Sequence, residues 1–309
     1  VLTAIFGLTG ALLFGAADFL GGLGSKRISA LRVTAVAGAT GFVVLLVALP
    51  VVGGAWSTEA VLLGALSGIT GAAAIALLYA CLAIGPMSIL SPLTAVVSAI
   101  VPMTWGLLQG EALRPVGYWA LALALVAVVL VGFVPERGAV RPTPRGLGMA
   151  VASGTLIGAF LIIIDATPDD SGLVPLVVNR LVNSVSMFAA VAVLAVVALR
   201  RSRARAALGA RTSATEGESL AVRDLRSGGG RWLPGLKFAL ACGVVDAIAN
   251  ALLLVGLRLG ELTVMSVLTA MYPAGTILLA AIVLRERITP VQIIGLVLAL
   301  AAAGMLALA

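Results

Sequence analysis

The chain has 309 residues, 61% of them hydrophobic and only 11% charged; a water-soluble domain is nearer half apolar and a quarter charged, so a solvated globule is excluded. No histidine occurs, and the two cysteines, Cys81 and Cys242, lie far apart in apolar runs. His-based triads, His-containing metal sites and a disulfide framework therefore have nothing to be built from, and no cofactor or metal is expected.

Crossing about 30 Å of hydrocarbon takes roughly 20 apolar residues. Apolar runs predict ten transmembrane helices, at about 2–23, 31–52, 59–83, 88–109, 114–134, 146–165, 172–199, 233–258, 262–284 and 289–308. The runs are continuous rather than alternating, which argues against a membrane β-barrel. Helix one opens VLTAIFGLTGALLFG; without a basic leader it reads as a first span rather than a signal peptide. It carries Asp18 in its later half. Helix two starts near Arg32, and helix three holds Gly64, Gly68 and Tyr79. Helix four contains Pro92, Pro102 and Trp105, with Gln109 at its end. Helix six has Gly154 and Gly158 and ends at Asp165. Helix seven opens PLVVNRLVNSV, stacking Asn179 on Asn183 and Arg180 on Ser184. Residues 200–232 are polar, basic and Gly-rich and read as a solvated linker. Helix eight holds Asp246 and Asn250, and helix nine holds Tyr272 and Pro273.

The basic residues separate by loop. Loops after helices one, three, five, seven and nine hold Lys26, Arg27, Arg32, Arg137, Arg141, Arg145, the linker arginines, Lys237, Arg285 and Arg287. The other face holds Arg114 and Arg258 among Glu59, Glu111, Asp169, Asp170 and Glu261. By the positive-inside rule the odd-numbered loops are cytoplasmic and both termini lie outside. The net charge of +7 is thereby topology, and no nucleic-acid partner is expected.

The sequence also repeats itself. Residues 82–127 align with 257–302 without a gap, at a constant spacing of 175. Gly85 falls on Gly260, Ser91 on Ser266, Leu-Thr-Ala 93–95 on 268–270, Glu111 on Glu286 and Pro115 on Pro290. Two repeats are expected, residues 1–138 and 139–309. Each has five helices, an odd number, so the second enters the membrane inverted. Inverted repeats place a binding site near the midplane where they meet. The expected fold is all-α, ten transmembrane helices in two inverted five-helix repeats around a central cavity.

These two copies, with LRLGELTVMSVLTAMYPAGTILLAAIVLRERIT as the nearest match and ALLFGAADFLGGLGSKRISALR as a first hairpin, resemble the ten-helix EamA type of the drug/metabolite transporter superfamily. One departure is visible: Pro273 has Ser98 as its counterpart, and a proline comes four residues later, at Pro102. The resemblance implies export or exchange of small metabolites, amino acids or drugs, and names no substrate.

An ionised Asp near a helix centre costs roughly 2.5–3.5 kcal/mol on insertion scales. Asp246 therefore faces a cavity or a partner, with Asn250 one turn on along the same face. Such a pair can hold an ammonium or hydroxyl group, exchange a proton for it, or serve as a structural network. Asp18 is a second coupling candidate. Arg180 either pairs with an acid or holds a substrate carboxylate. Asn179, Asn183, Tyr79, Trp105 and Tyr272 are candidate cavity residues, each with packing as the alternative. The leading function is a secondary transporter of small solutes in the plasma membrane, an exporter working by alternating access. Its partners are a small-molecule substrate, a coupled proton as a further candidate, and membrane lipids. A lipid-headgroup flippase and an intramembrane enzyme are the alternatives. No Walker loop or GxSxG elbow supports an enzyme.

Overall fold

In the hydrocarbon of a bilayer each backbone N–H and C=O must be satisfied within the protein, so apolar segments of this length fold as helices. The computed structural model describes residues 2–28, 30–84, 87–132, 142–207, 233–285 and 288–308. Its helices are α1 (Leu2–Ser25), α2 (Ala30–Val52), α3 (Thr58–Ile84), α4 (Met87–Leu108), α5 (Pro115–Gly132), α6 (Pro144–Asp165), α7 (Val174–Ala207), α8 (Leu233–Leu259), α9 (Leu262–Thr269), α10 (Tyr272–Val283) and α11 (Pro290–Leu308). Among the described residues nine segments are long and apolar enough to cross a membrane, α9 and α10 together making one of them. The shorter apolar stretch Pro92–Leu108 of α4 supplies the tenth crossing.

Three features of the helices go beyond the positions of the apolar runs. First, α7 runs on through Arg200 to Ala207, because Arg and Ala are strong helix formers and carry the helix past its apolar part. Residues 208–232 of the expected linker lie outside the described residues. Second, the ninth span is two helices. Pro273 has no N–H to donate, and its ring clashes with the carbonyl four residues back. The chain therefore stops at Thr269 and restarts at Tyr272 with Pro273 in the first turn. Third, α4 stays one helix despite Pro92 and Pro102. Its partner α6 presses Gly154 and Gly158 against Thr94, Val97, Val101 and Pro102; a Cβ at Gly158 would stand 2.9 Å from Pro102 Cδ.

Helix packing occurs in matched pairs. α1 lies against α8 as α6 lies against α3; α1 lies against α9 and α10 as α6 lies against α4; α2 lies against α8 as α7 lies against α3. The remaining main contacts, α2 with α7, α4 with α9 and α5 with α11, each join an element to its own counterpart. Close contacts give the directions. Gly154 and Gly158 climb α6 in step with Thr94 and Val101 on α4, and Gly7 and Gly15 climb α1 in step with Leu268 and Tyr272. α6 thus runs with α4, and α1 with α9 and α10. α9 starts beside the end of α4, where Thr263 Oγ1 donates to Met103 O at 3.2 Å. The second set of helices is the first set turned over.

Small residues make these approaches possible, as helix association in lipid rests on close packing. One buried cluster is built on Ala95, Ala99, Ala124, Val267, Leu268 and Ala302, between α4, α5, α9 and α11. A second, with Leu45, Leu161, Ile164, Leu176, Leu253 and Met265, fills the bundle between Asp246 and the end that carries the chain's first residues, here the terminal face.

Candidate functional site

The site starts from a close crossing of α2 and α8. Gly243 has no room for a side chain: a Cβ there would run into Ala37 O and stand 2.7 Å from Thr40 Cβ. One turn on, the short Ala247 and Gly41 leave a channel through which Arg180 of α7 reaches α8. Its Cδ would lie 3.7 Å from a Cβ placed at Gly41. Arg180 Nη2 ends 2.5 Å from Asp246 Oδ2, the two side chains 12% and 24% exposed. Asn250 Nδ2 donates to Asp246 Oδ1 at 3.3 Å and to Asp246 O at 2.8 Å. Ser184 Oγ donates to Arg180 O at 2.6 Å. Both carboxylate oxygens of Asp246 are thus engaged. Arg180 Nε is buried with no hydrogen-bond partner among the described residues.

α1 brings the second acid. Gly15 lets α1 touch the start of α10: a Cβ there would stand 2.6 Å from Thr276 N and 2.7 Å from Gly275 Cα, and Thr276 Oγ1 donates to Gly15 O at 3.1 Å. Three residues on, Asp18 is within electrostatic reach of Asp246, Cys242 and Tyr272. Its surface is exposed although it lies among helices. No hydrogen bond or ion pair reaches it from the described residues. One turn further, Gly22 has open space where a side chain would stand. The side of α1 that carries Asp18 is thus uncovered for a further turn toward the face opposite the termini.

Of the residues singled out in the sequence, the structure brings together Asp18, Arg180, Asp246 and Asn250, with Tyr272 half-buried beside Asp18. Cys242, half-buried, joins their border. Asn179 and Asn183 turn elsewhere: Asn179 Nδ2 donates to Ser67 Oγ at 2.8 Å inside the α3–α7 contact, and Asn183 is buried near Gly71. Trp105 is 45% exposed near the end of α4. The side chain of Tyr79 lies outside the described residues. The two-fold leaves the cluster one-sided, since by the matching contacts of Gly15 and Gly158 the counterpart of Asp18 on α6 is Leu161.

The terminal face is tied across the two sets of helices. Glu111 accepts from the backbone N–H groups of Leu262 and Thr263 at 2.8 and 2.9 Å, capping α9. Ala55 N donates to Asp170 O, Leu173 N to Gly53 O, and Thr3 Oγ1 to Leu259 O. Arg258 binds Asp169 Oδ1 at 3.1 Å, Thr167 Oγ1 at 2.6 Å and the carbonyls of Asp165 and Pro168. Glu261, beside Glu111, has its carboxyl pushed above the ordinary range by partial burial and then by the neighbouring Glu111. A cleft of about 340 Å³ opens there between Thr3, Arg114, Glu261 and Leu306. With Asp18 fifteen residues along α1 from Thr3, it lies about 22 Å from the polar cluster. Sequence reasoning missed the roles of Glu111, Arg258 and Ser67. The recurrence of Glu111 as Glu286 and the acidic stretch facing Arg258 were the available signals.

Ionisable groups held inside a membrane mark solute or ion paths, and here they stand where helices of both sets meet. Fold and site together define a multi-pass membrane protein with ionisable groups held among its helices. Residues 156–308, just under half of the chain, match the model of the EamA-like transporter family, a family of the drug/metabolite transporter superfamily. It is also similar to a solved crystal structure with 16% sequence identity and a TM-score of 0.69, over 99% of this chain and 98% of that one; that likeness is one of fold. No curated protein matches the sequence.

Proposed function

We propose that this transporter is a secondary carrier that exports a small solute across the plasma membrane by alternating access. Its two units are residues 1–138 and 139–309. The solute binds at the cluster of Asp18, Arg180, Asp246 and Asn250. One observation carries the assignment: an Arg180–Asp246 ion pair of 2.5 Å beside Asp18, whose surface is exposed, where α1 meets α8. Taking charges out of water costs several kcal/mol per ion. A fold that needed only packing gains little from three ionisable groups here.

Matched helix pairs support the mechanism, because exchanging the conformations of two equivalent units reverses which side the cluster opens to. In the present state the bonds of Glu111, Ala55, Leu173 and Thr3 tie the terminal face, with the Leu45–Leu253–Met265 cluster beneath it. Asp18 and Gly22 open toward the other, more basic face, which the positive-inside rule makes cytoplasmic. The state is inward-facing, ready to load from the cytoplasm. Proteoliposome flux or counterflow with candidate solutes tests this. Asp246→Asn is expected to abolish transport while eluting as a monodisperse protein. Flux at the wild-type rate from that variant would remove the cluster from the mechanism.

A further inference from the structure

The transport reading leaves the substrate open, and the charge count at the cluster narrows it. Two carboxylates, Asp18 and Asp246, share the site with one guanidinium, Arg180. Asp246 is committed: Oδ2 is held by Arg180 and Oδ1 by Asn250. Arg180 is spent on Asp246, mostly covered, with its Nε buried. Asp18 has no hydrogen bond or ion pair from the described residues, and its surface is exposed. A solute entering along Gly22 therefore meets a carboxylate, and the guanidinium stands behind it.

The groups around Asp18 do not supply the missing positive charge. On α8 they are Asp246 and Cys242, and on α10 Tyr272. On α7 the nearest is Arg180, already paired. α2 brings only Arg32, buried near the helix start and with interactions of its own, and α9 and α11 carry no charged residue. One negative charge is left over at the cluster, with no cation among the groups named here to balance it.

Resting on the transport reading, we propose that Asp18 is the substrate carboxylate, that the substrate class is a small organic monocation with an ammonium head, and that a proton competes with it for the same oxygens. Asp246 is then a positioning residue that holds Arg180 and keeps the guanidinium away from the solute. The exchange balances simply. The carboxylic acid of Asp18 gives its proton to water as the ammonium ion arrives, so one proton leaves for each cation bound and the net charge of the site is the same in both forms. Exchange across the membrane is one for one and electroneutral.

Three probes with one phenyl body separate the charge classes: phenethylammonium, 2-phenylethanol and phenylacetate. Thermal unfolding of the full chain in detergent is expected to shift upward with phenethylammonium and not with the other two. A dye in weakly buffered solution should report about one proton released per cation bound at acid pH. Asp18→Asn should abolish both signals, and Asp18→Glu should keep the proton release. Asp18→Asn is expected to remain folded, since it removes an unpaired charge. Stabilisation by phenylacetate in place of phenethylammonium, or proton release that survives in Asp18→Asn, overturns the proposal. Where none of the three probes binds, the proton is the probe. An infrared carboxylic C=O band that fades as pH rises and is missing in Asp18→Asn is expected, and its persistence in that variant refutes the assignment. Solute flux unaffected by Asp18→Asn sinks this inference and leaves the transporter standing. Cation binding at Asp18 without flux of any solute in liposomes would do the reverse.

Discussion

Breaking the Arg180–Asp246 pair should cost more when the cation is removed than when the anion is. Removing one partner of a buried ion pair typically costs 3–5 kcal/mol, because the other charge is stranded. Asp246 is 24% exposed and Arg180 12%, so water screens part of the loss and the lower end applies, about 3 kcal/mol for Asp246→Asn. Arg180→Gln strands Asp246 and leaves Asp18 beside it as a second negative charge, so its loss is larger. The double variant strands neither partner and should lose no more than the worse single change, an interaction energy of about 3 kcal/mol. Adding Asp18→Asn to Arg180→Gln should restore part of the loss. Reversible unfolding in a titration of SDS into mixed micelles, followed by circular dichroism, measures all of these. Additive losses near 6 kcal/mol in the double variant, or an Arg180→Gln loss that ignores Asp18→Asn, would refute the charge argument.

Gly15→Ala should destabilise by roughly 3 kcal/mol or prevent folding, because its methyl meets the backbone of α10 at 2.6–2.7 Å; Gly22→Ala, with open space around it, should be neutral, and size-exclusion profiles with melting curves decide between them. Ser67→Ala leaves the buried Asn179 amide without its acceptor, so a loss of about 1–3 kcal/mol is expected in the same unfolding assay. For Glu261, whose carboxyl in the folded protein lies above the ordinary 4.5 of a glutamate, the favourable contribution is present at acid pH. It is lost as pH rises from that value through the raised one. Glu261→Gln should therefore flatten stability across that window, and melting curves in a pH series that remain parallel to wild type would contradict this. Glu111→Ala, which uncaps Leu262 and Thr263, should cost about 1–2 kcal/mol and loosen the terminal face, read as faster modification of a cysteine placed at Ala55.

The sequence by itself determined the spans, because a bilayer admits only segments that satisfy their own backbone and are apolar for their whole length. Helix ends fell within two residues of expectation except at the break between Thr269 and Tyr272 and at α7, where Arg and Ala continued the helix beyond its apolar part. Repeated Gly, Ser-x-Leu-Thr-Ala, Glu and Pro made the internal repeat legible, and the spacing of Asp246 and Asn250 put both on one face, a local property of any helix. Partners were another matter. These helices are apolar nearly all round, so no polar stripe tells which face turns inward. Whether Asn179 faces a cavity or Ser67, and whether Asp246 meets Arg180 or water, depends on helix rotation that only packing against neighbours sets. Tertiary structure decided that Gly41, Gly243 and Ala247 clear a path for Arg180, that α1 brings the exposed Asp18 beside the pair, and that Pro273 breaks its span while Pro102 does not. Each of these rests on contacts between residues far apart in the chain, where the length of a methyl group decides which helices can touch.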